Sequence, residues 1–210
     1  MRNTKIKVCG MRDDTNIKEL VALHPDYIGF IFFEKSKRDV QGQLNQDLLM
    51  SIPKSIKKTG VFVNASTEFI LQQVDTFDLD AVQLHGSESP EQAELIKSKG
   101  LEVFKVFSVG ASFNFSLLEP YKGKVDYFLF DTQGKEAGGN GFTFDWSILD
   151  DYDNEVPFLL SGGLNEKNIS EVKKLNHLNI HGVDVNSKFE IKPGLKNIDL
   201  LKKSVFRAFK

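Results

Sequence analysis

Short runs rich in β-branched and aromatic residues recur along the chain, each followed by a segment whose apolar positions fall three and four apart. These are the signatures of buried strands and amphipathic helices. KIKVC ends at Cys9, and DDTNIKELVALH after it carries Ile17, Leu20, Val21 and His24 on one helical face. DYIGFIFF is followed by a basic loop and LNQDLLMSI. KTGVFV leads to ASTEFILQQV, where Ser66 is placed to cap the helix. LDAVQL leads to SPEQAELIKSKG, with Pro90 in the first turn and Gly100 as the stop. EVFKVFSV precedes the poorly marked SFNFSLLEPY, and VDYFLFD precedes a glycine-rich loop and a short FDWSIL. VPFLLS is followed by NEKNISEVKKL, and IHGVDV by LKNIDLLKKSVFRAF, which reads as a closing amphipathic helix.

Eight strand-then-helix units predict a parallel sheet with helices outside. Runs as continuously apolar as YIGFIFF and YFLF suit strands buried on both faces. Eight units fit a closed α/β architecture, the (β/α)8 TIM barrel, near the small end of its size range. An open doubly wound sheet is the alternative. No Pro/Ser linker, low-complexity tract or charge block marks a second domain, so residues 1–210 are expected to form one barrel domain.

Composition narrows the function classes. A hydrophobic share of 40%, a charged share of 27% and a net charge of −2 describe an ordinary soluble globular protein. That balance lacks the basic excess of a nucleic-acid binder, so any positive field for an anionic ligand must be local. One cysteine cannot form an internal disulfide, and the histidines at 24, 85, 177 and 181 show no metal-ligand spacing. MRNTKIKVCG lacks the long apolar stretch of a signal peptide, and no later run reaches membrane-spanning length. A cytoplasmic protein with no membrane or nucleic-acid partner is expected.

In a barrel the active site forms at the C-terminal ends of the strands, and the unusual polar residues fall there. Cys9 ends the first run, Arg38 follows the second, Asn64 ends the third, and Gln83 and His85 flank the end of the fourth. Asp131 ends the sixth, Ser161-Gly162-Gly163 the seventh, and Asp184 to Ser187 the eighth. In LLSGGLNEKN, two glycines between a strand and a helix let backbone N–H groups approach an anion, helped by the adjacent helix N-terminus. A tight connecting turn is the plainer reading of the pair. The phosphate reading gains from DVNSKFE after the eighth run, because barrels often hold phosphate after strands seven and eight. Arg38 lies in EKSKRDV, where Lys35 and Lys37 read as solvated; an arginine there can instead pair bidentately with a ligand carboxylate. The glycine-rich DTQGKEAGGNGFTFDW is either a connection or a flap that excludes water from a ligand. Its GGNG lacks the spacing of a dinucleotide fingerprint, and no cofactor is expected.

Taken in order, KVCGMR, GFIFFEKSKRDV, GVFVNAS, VQLHGSESPE, LFDTQGKEAGGNGFTFDW, LLSGGLNEKNI and GVDVNSKFE followed by KPGLKN resemble the phosphoribosylanthranilate isomerases over nearly the whole chain. The resemblance implies a (β/α)8 barrel in tryptophan biosynthesis that needs no metal or organic cofactor. Its reaction is the Amadori rearrangement of N-(5-phosphoribosyl)anthranilate to the 1-deoxyribulose isomer. It further implies Cys9 as general base, Asp131 as general acid and Arg38 as the contact for the substrate carboxylate. The phosphate falls to Gly162, Gly163 and the turn near Asn186 and Ser187, while His85 and Asp184 match substrate-binding positions at the pocket mouth. One departure stands out. The eighth-strand turn of such enzymes usually reads Ser-Ser-Gly, and here it reads Asn186-Ser187-Lys188. Lysine lacks glycine's freedom at positive φ, so either the loop differs or the ammonium helps hold the phosphate. The implied partner is a small phosphosugar, and the expected assembly is a monomer or a homodimer.

That chemistry sets opposite demands on the two groups. Asp131 must keep a proton near neutrality, for which the apolar YFLF before it offers surroundings. Cys9 must lose one, which calls for positive charge nearby. Lys7, two residues earlier on the same strand face, either supplies that charge or is neutralised by an interior acid such as Asp184. Other phosphosugar barrels are the nearest rivals. A pentose-phosphate epimerase calls for metal-binding His and Asp at strand ends, and indole-glycerol-phosphate synthase for a catalytic Lys and Glu set. A barrel that only binds phosphorylated ligands keeps Arg38 and the glycine pair but has no need of an acid and a base.

Overall fold

Along the first strand the outward side chains Ile6 and Val8 and the inward ones Lys7 and Cys9 are all buried. A strand with no wet face belongs in a sheet covered on both sides. The computed structural model describes residues 4–132 and 146–210 and shows that sheet closed on itself. Its strands are β1 (Lys5–Cys9), β2 (Tyr27–Phe32), β3 (Lys57–Phe62), β4 (Ala81–Leu84), β5 (Glu102–Val109), β6 (Tyr127–Thr132), β7 (Phe158–Ser161) and β8 (Ile180–Val185). Each pairs in parallel with its sequence neighbour, and β8 closes on β1 with Asp184 opposite Lys7. The expected barrel is present, and no open sheet edge remains in it.

Strand alternation divides the apolar residues into two clusters. Outward residues such as Ile28, Phe30, Phe128, Phe130 and Phe158 pack under the helices in the larger one. Tyr27, Ala81, Phe104, Val106, Leu129 and Leu159 fill the barrel interior. The interior is not uniformly apolar. Lys7, Thr59, Gln83 and Asp184 are buried inward-facing polar residues on β1, β3, β4 and β8.

The early helices begin where a side chain can accept from the first turn. Asp13 caps α1 (Asp14–Val21), Asn45 caps α2 (Gln46–Ser51), Ser66 caps α3 (Thr67–Phe77), and Ser89 caps α4 (Pro90–Lys97), each accepting from a backbone N–H three residues on. Each such cap is worth about 1 kcal/mol. After β5, β6 and β7 the connections are 3-10 helices instead, over Phe115–Tyr121, Trp146–Asp151 and Ile169–Leu175. Pro120 inside the first of these removes a donor that an α-helix needs.

The closing segment also departs from its pattern. Leu195–Lys196 (β10) pairs antiparallel with Glu190–Lys192 (β9) across the Pro193-Gly194 turn, so the helix starts only at α5 (Ile198–Leu201), capped by Asn197. It continues through a π-helical turn (Lys202–Phe206) into α6 (Arg207–Phe209). The Pro-Gly pair was the available turn signal, overridden in the pattern by the apolar spacing around it. Among the described residues no helix is long and apolar enough to cross a membrane.

The β1–β8 seam is tight at Gly182, where an added Cβ would lie 2.6 Å from the Lys5 carbonyl oxygen. That oxygen belongs to a barrel strand and cannot swing aside. Gly182→Ala is expected to cost about 1–3 kcal/mol, and thermal unfolding should show a melting temperature several degrees lower. An unchanged transition would mean that the seam yields without cost.

Candidate active site

A cavity of about 440 Å³ opens at the C-terminal ends of the strands. Cys9 of β1, Asp131 of β6 and Asp184 of β8 line it, with His85 just past β4. Gly162 and Gly163 after β7, and Asn186 and Ser187 after β8, complete the set of expected residues in its wall. Arg38 is the exception. Its guanidinium lies beside the cavity wall residues but is turned onto Glu190, with Nε 2.8 Å from Oε1 and Nη2 2.5 Å from Oε2. Asn64, also polar at a strand end, fastens a loop instead: its Oδ1 accepts from the Ser87 N–H at 2.6 Å.

Cys9 is 4% exposed, and its sulfur fits against β2 because residue 29 is glycine. A Cβ at Gly29 would stand 2.8 Å from Sγ. Burial pushes the thiol up; Lys7 pulls against it, Asp184 adds to it and Lys196 also pulls down, leaving the thiol above its ordinary value. Both readings of Lys7 hold at once. Its Nζ donates to Asp184 Oδ2 at 3.0 Å, and its charge also favours the Cys9 thiolate. Burial works against the Lys7 charge, but Asp184 and Cys9 outweigh it and hold the ammonium above its usual value.

Asp131 sits in the opposite situation. Burial, and then the neighbouring Asp184 carboxylate, push its carboxyl above the usual range. The YFLF run contributes less than its position suggested: Phe128 and Phe130 pack in the outer layer, and Tyr127 and Leu129 share the inward face with Asp131. His85 Nε2 stands 3.8 Å from Asp131 Oδ2, and its Nδ1 is 3.1 Å from Gln83 Nε2. Burial, then Lys7 and Lys105, bring His85 down to about 4, so it is neutral at physiological pH. Its loop is anchored from beneath by Glu88, which accepts from the Asn64 and Gly86 N–H groups and pairs with Lys105 at 3.0 Å.

Gly162 and Gly163 both have positive φ, +81° and +63°. The Gly163 carbonyl accepts from the side chains of Asn165 and Asn168, which fixes the turn. The helix expected directly after them begins only at Ile169, so its N-terminus does not adjoin the pair. After β8, Ser187–Phe189 forms a single 3-10 turn, and Lys188 does not take positive φ. The lysine therefore fits this loop without strain, and it lines the cavity.

Sequence reasoning missed Glu190 and Lys196. Lys196 is fully buried, and its Nζ donates to Glu190 Oε1 at 2.6 Å and Asn186 Oδ1 at 2.8 Å. Arg38, Lys196 and the Gly194 N–H converge on Glu190, and although burial opposes it they bring its carboxyl down to about 2. The available signal was a pair of charges flanking a Pro-Gly turn, which reads equally well as an exposed hairpin.

A larger groove of about 1050 Å³ lies among Thr4, Asn154, His177 and Phe209. Its titratable wall residues are Lys173 and His177, the latter paired with Asp150 at 2.8 Å. Among the described residues its wall holds no carboxylate or thiol, whereas the wall of the smaller cavity holds both. Among the described residues no cluster of His, Cys, Asp and Glu is arranged to hold a metal ion. Of the glycine-rich segment 131–146, read as a connection or a flap, residues 133–145 lie outside the described residues.

Known proteins share this arrangement. Residues 6–207 match the family model described as N-(5'phosphoribosyl)anthranilate (PRA) isomerase. An N-(5'-phosphoribosyl)anthranilate isomerase of Parabacteroides distasonis is 48% identical over 198 residues, covering 94% of this chain and 90% of that protein. The crystal structure of phosphoribosyl anthranilate isomerase from Thermotoga maritima is 32% identical, superimposes with a TM-score of 0.86 and covers 98% of both chains. A further solved isomerase, in complex with reduced 1-(o-carboxyphenylamino)-1-deoxyribulose 5-phosphate, gives a TM-score of 0.82 at 29% identity, again over 98% of both chains. With its eight-stranded barrel, its cavity and a match over nearly its full length, this chain belongs to the phosphoribosylanthranilate isomerase family of tryptophan biosynthesis.

Proposed function

We propose that this isomerase turns N-(5'-phosphoribosyl)anthranilate into 1-(2-carboxyphenylamino)-1-deoxyribulose 5-phosphate by general acid–base catalysis, with Asp131 as acid and Cys9 as base. The observation that carries this reading is that one cavity at the strand ends is lined by both groups. Opening the ribose ring requires a proton on the ring oxygen as the C–O bond breaks. Asp131, with its carboxyl pushed up by burial and by Asp184, is suited to give it. The resulting iminium between C1 and the anthranilate nitrogen acidifies the C2 hydrogen. Cys9 as thiolate removes that hydrogen, and the enolamine tautomerises to the ketone. Positioned acids and bases each contribute about 10²–10⁴ in rate.

Substrate placement follows from the rims. Gly162 and Gly163, the turn at Asn186 and Ser187, and the Lys188 ammonium receive the phosphate. Arg38 receives the anthranilate carboxylate through the guanidinium edge that Glu190 leaves unused, since Nε and Nη2 already face Glu190. His85, neutral and close to Asp131, and Asp184, held by Lys7, border the reacting sugar.

Replacing Cys9 by Ala is expected to lower kcat by about 10²–10⁴ while product-analogue affinity, measured by fluorescence titration, changes only a few fold. Near-full activity of that variant would remove Cys9 as the base. The pH profile tests Asp131. Turnover needs Cys9 deprotonated and Asp131 protonated together, so the rate falls at both pH extremes, on the alkaline side through loss of the Asp131 proton. Asp131→Asn should therefore lose most of the rate and also the alkaline fall; a variant that keeps that fall would exclude Asp131 as the acid. For Arg38→Lys, binding of anthranilate-bearing ligands should weaken while plain ribose phosphates keep their affinity. Equal losses for both ligand types would speak against a carboxylate contact.

A further inference from the structure

Near Cys9 lies a group of charges that does not balance, all of it buried except the Arg38 side chain, which is 21% exposed. Lys7 and Asp184 form one pair, 3.0 Å apart and 0% and 5% exposed. Arg38 and Lys196 share a single carboxylate, Glu190, at 2.5 Å and 2.6 Å. Three cations thus meet two carboxylates, and among the described residues of this cluster one positive charge is left over. We propose that Lys196 is a positioning residue for Cys9, carrying the surplus buried charge that a thiolate at residue 9 neutralises.

The geometry favours Lys196 over Lys7 as the source of net charge. Lys7 acts on Cys9 through its charge but is matched by its own carboxylate. Lys196 has no carboxylate to itself, because Glu190 is already engaged on both oxygens by the Arg38 fork. Its ammonium cannot retreat to solvent, since the side chain is fully buried. Its backbone is clasped from both sides by Asn16, whose Oδ1 accepts from the Lys196 N–H at 2.7 Å and whose Nδ2 donates to the Lys196 carbonyl at 3.0 Å. Lys196 Nζ reaches Asn186 Oδ1, and that oxygen lies 2.9 Å from where a Cβ on Gly10 would stand, next to Cys9 in the chain. A buried surplus charge is costly until an anion joins it. Burial pulls Lys196 below its ordinary value while Glu190 and Cys9 support its charge, as this imbalance requires.

The charges that act on Cys9 are those of Lys7 on its own strand, Asp184 on β8, Lys196 on the hairpin and Arg38 after β2, while Asp131 on β6, His85 after β4 and Lys188 after β8 share its cavity wall. Of the first four, Asp184 alone opposes the thiolate. The inference rests on the reading of Cys9 as the base, but its test does not use turnover. The chain has one cysteine, so selective 13Cβ labelling of cysteine gives a single resonance whose shift with pH reports the Cys9 titration in the intact protein. Lys196→Met should raise the midpoint by about one unit or more, which is tenfold less thiolate at a given pH. Lys196→Arg, which keeps the charge, should restore the wild-type midpoint. Glu190→Gln should move it the other way, to lower pH, by enlarging the surplus. It decides the matter if Lys196→Met does not fold. An unmoved midpoint in folded Lys196→Met, or a midpoint not lowered in Glu190→Gln, overturns the proposal. An active Cys9→Ala enzyme would instead remove the base assignment and leave these midpoints untouched.

Discussion

The Lys7–Asp184 ion pair is the contact on which both the barrel and its site depend. It spans the seam where the last strand meets the first, 177 positions apart in the chain. A buried charge left without its partner costs several kcal/mol, so neither strand can slip in register without stranding one. The register that this pair favours brings Cys9 to the same rim as Asp184 and sets Asp131 within reach of the Asp184 charge. One interaction thereby closes the sheet and sets the field at its mouth.

The two ends of that pair act on different groups. The ammonium pulls the Cys9 thiol down against its burial. The carboxylate adds to the burial that raises the Asp131 carboxyl above its ordinary value. Burial itself has the opposite consequence for the two roles: it favours the neutral form of both groups, which suits an acid and hinders a base. This asymmetry is why a base at residue 9 needs more cationic support than one neutralised lysine, and why the hairpin after β8 matters. It delivers Lys196 and Glu190 to the back of the site and holds the Arg38 fork at its edge.

The βα loops divide the remaining work. Glu88, Lys105 and Asn64 form a fastening beneath His85 that holds its loop by backbone N–H groups. On the far rim, Asn165 and Asn168 hold the Gly162-Gly163 turn through its carbonyl. Neither fastening is chemical. Both fix where a neutral imidazole and the Gly162-Gly163 turn stand at the cavity wall.

Local pattern alone determined a good deal. Doubly buried apolar runs and capped helices such as those at Ser66 and Ser89 are short-range properties, and they were legible because strand burial and N-cap chemistry are written within a few residues. The strand-end positions of Cys9, Asp131, Asp184 and the Gly162-Gly163 pair were legible for the same reason, once the barrel placed every strand end on one rim. Other features depended on partners far away in sequence. The hairpin at residues 190–196 went unread, and its last two residues were counted into the closing helix. Arg38 was read as facing a ligand, yet its fork is occupied by a glutamate 152 positions on. Which way Lys7 leans, how many carboxylates oppose Lys7, Lys196 and Arg38, and which face of β6 surrounds Asp131 were settled only by closure of the sheet. Charge balance in a buried site is a sum over neighbours in space, and a linear chain does not name those neighbours until it has folded.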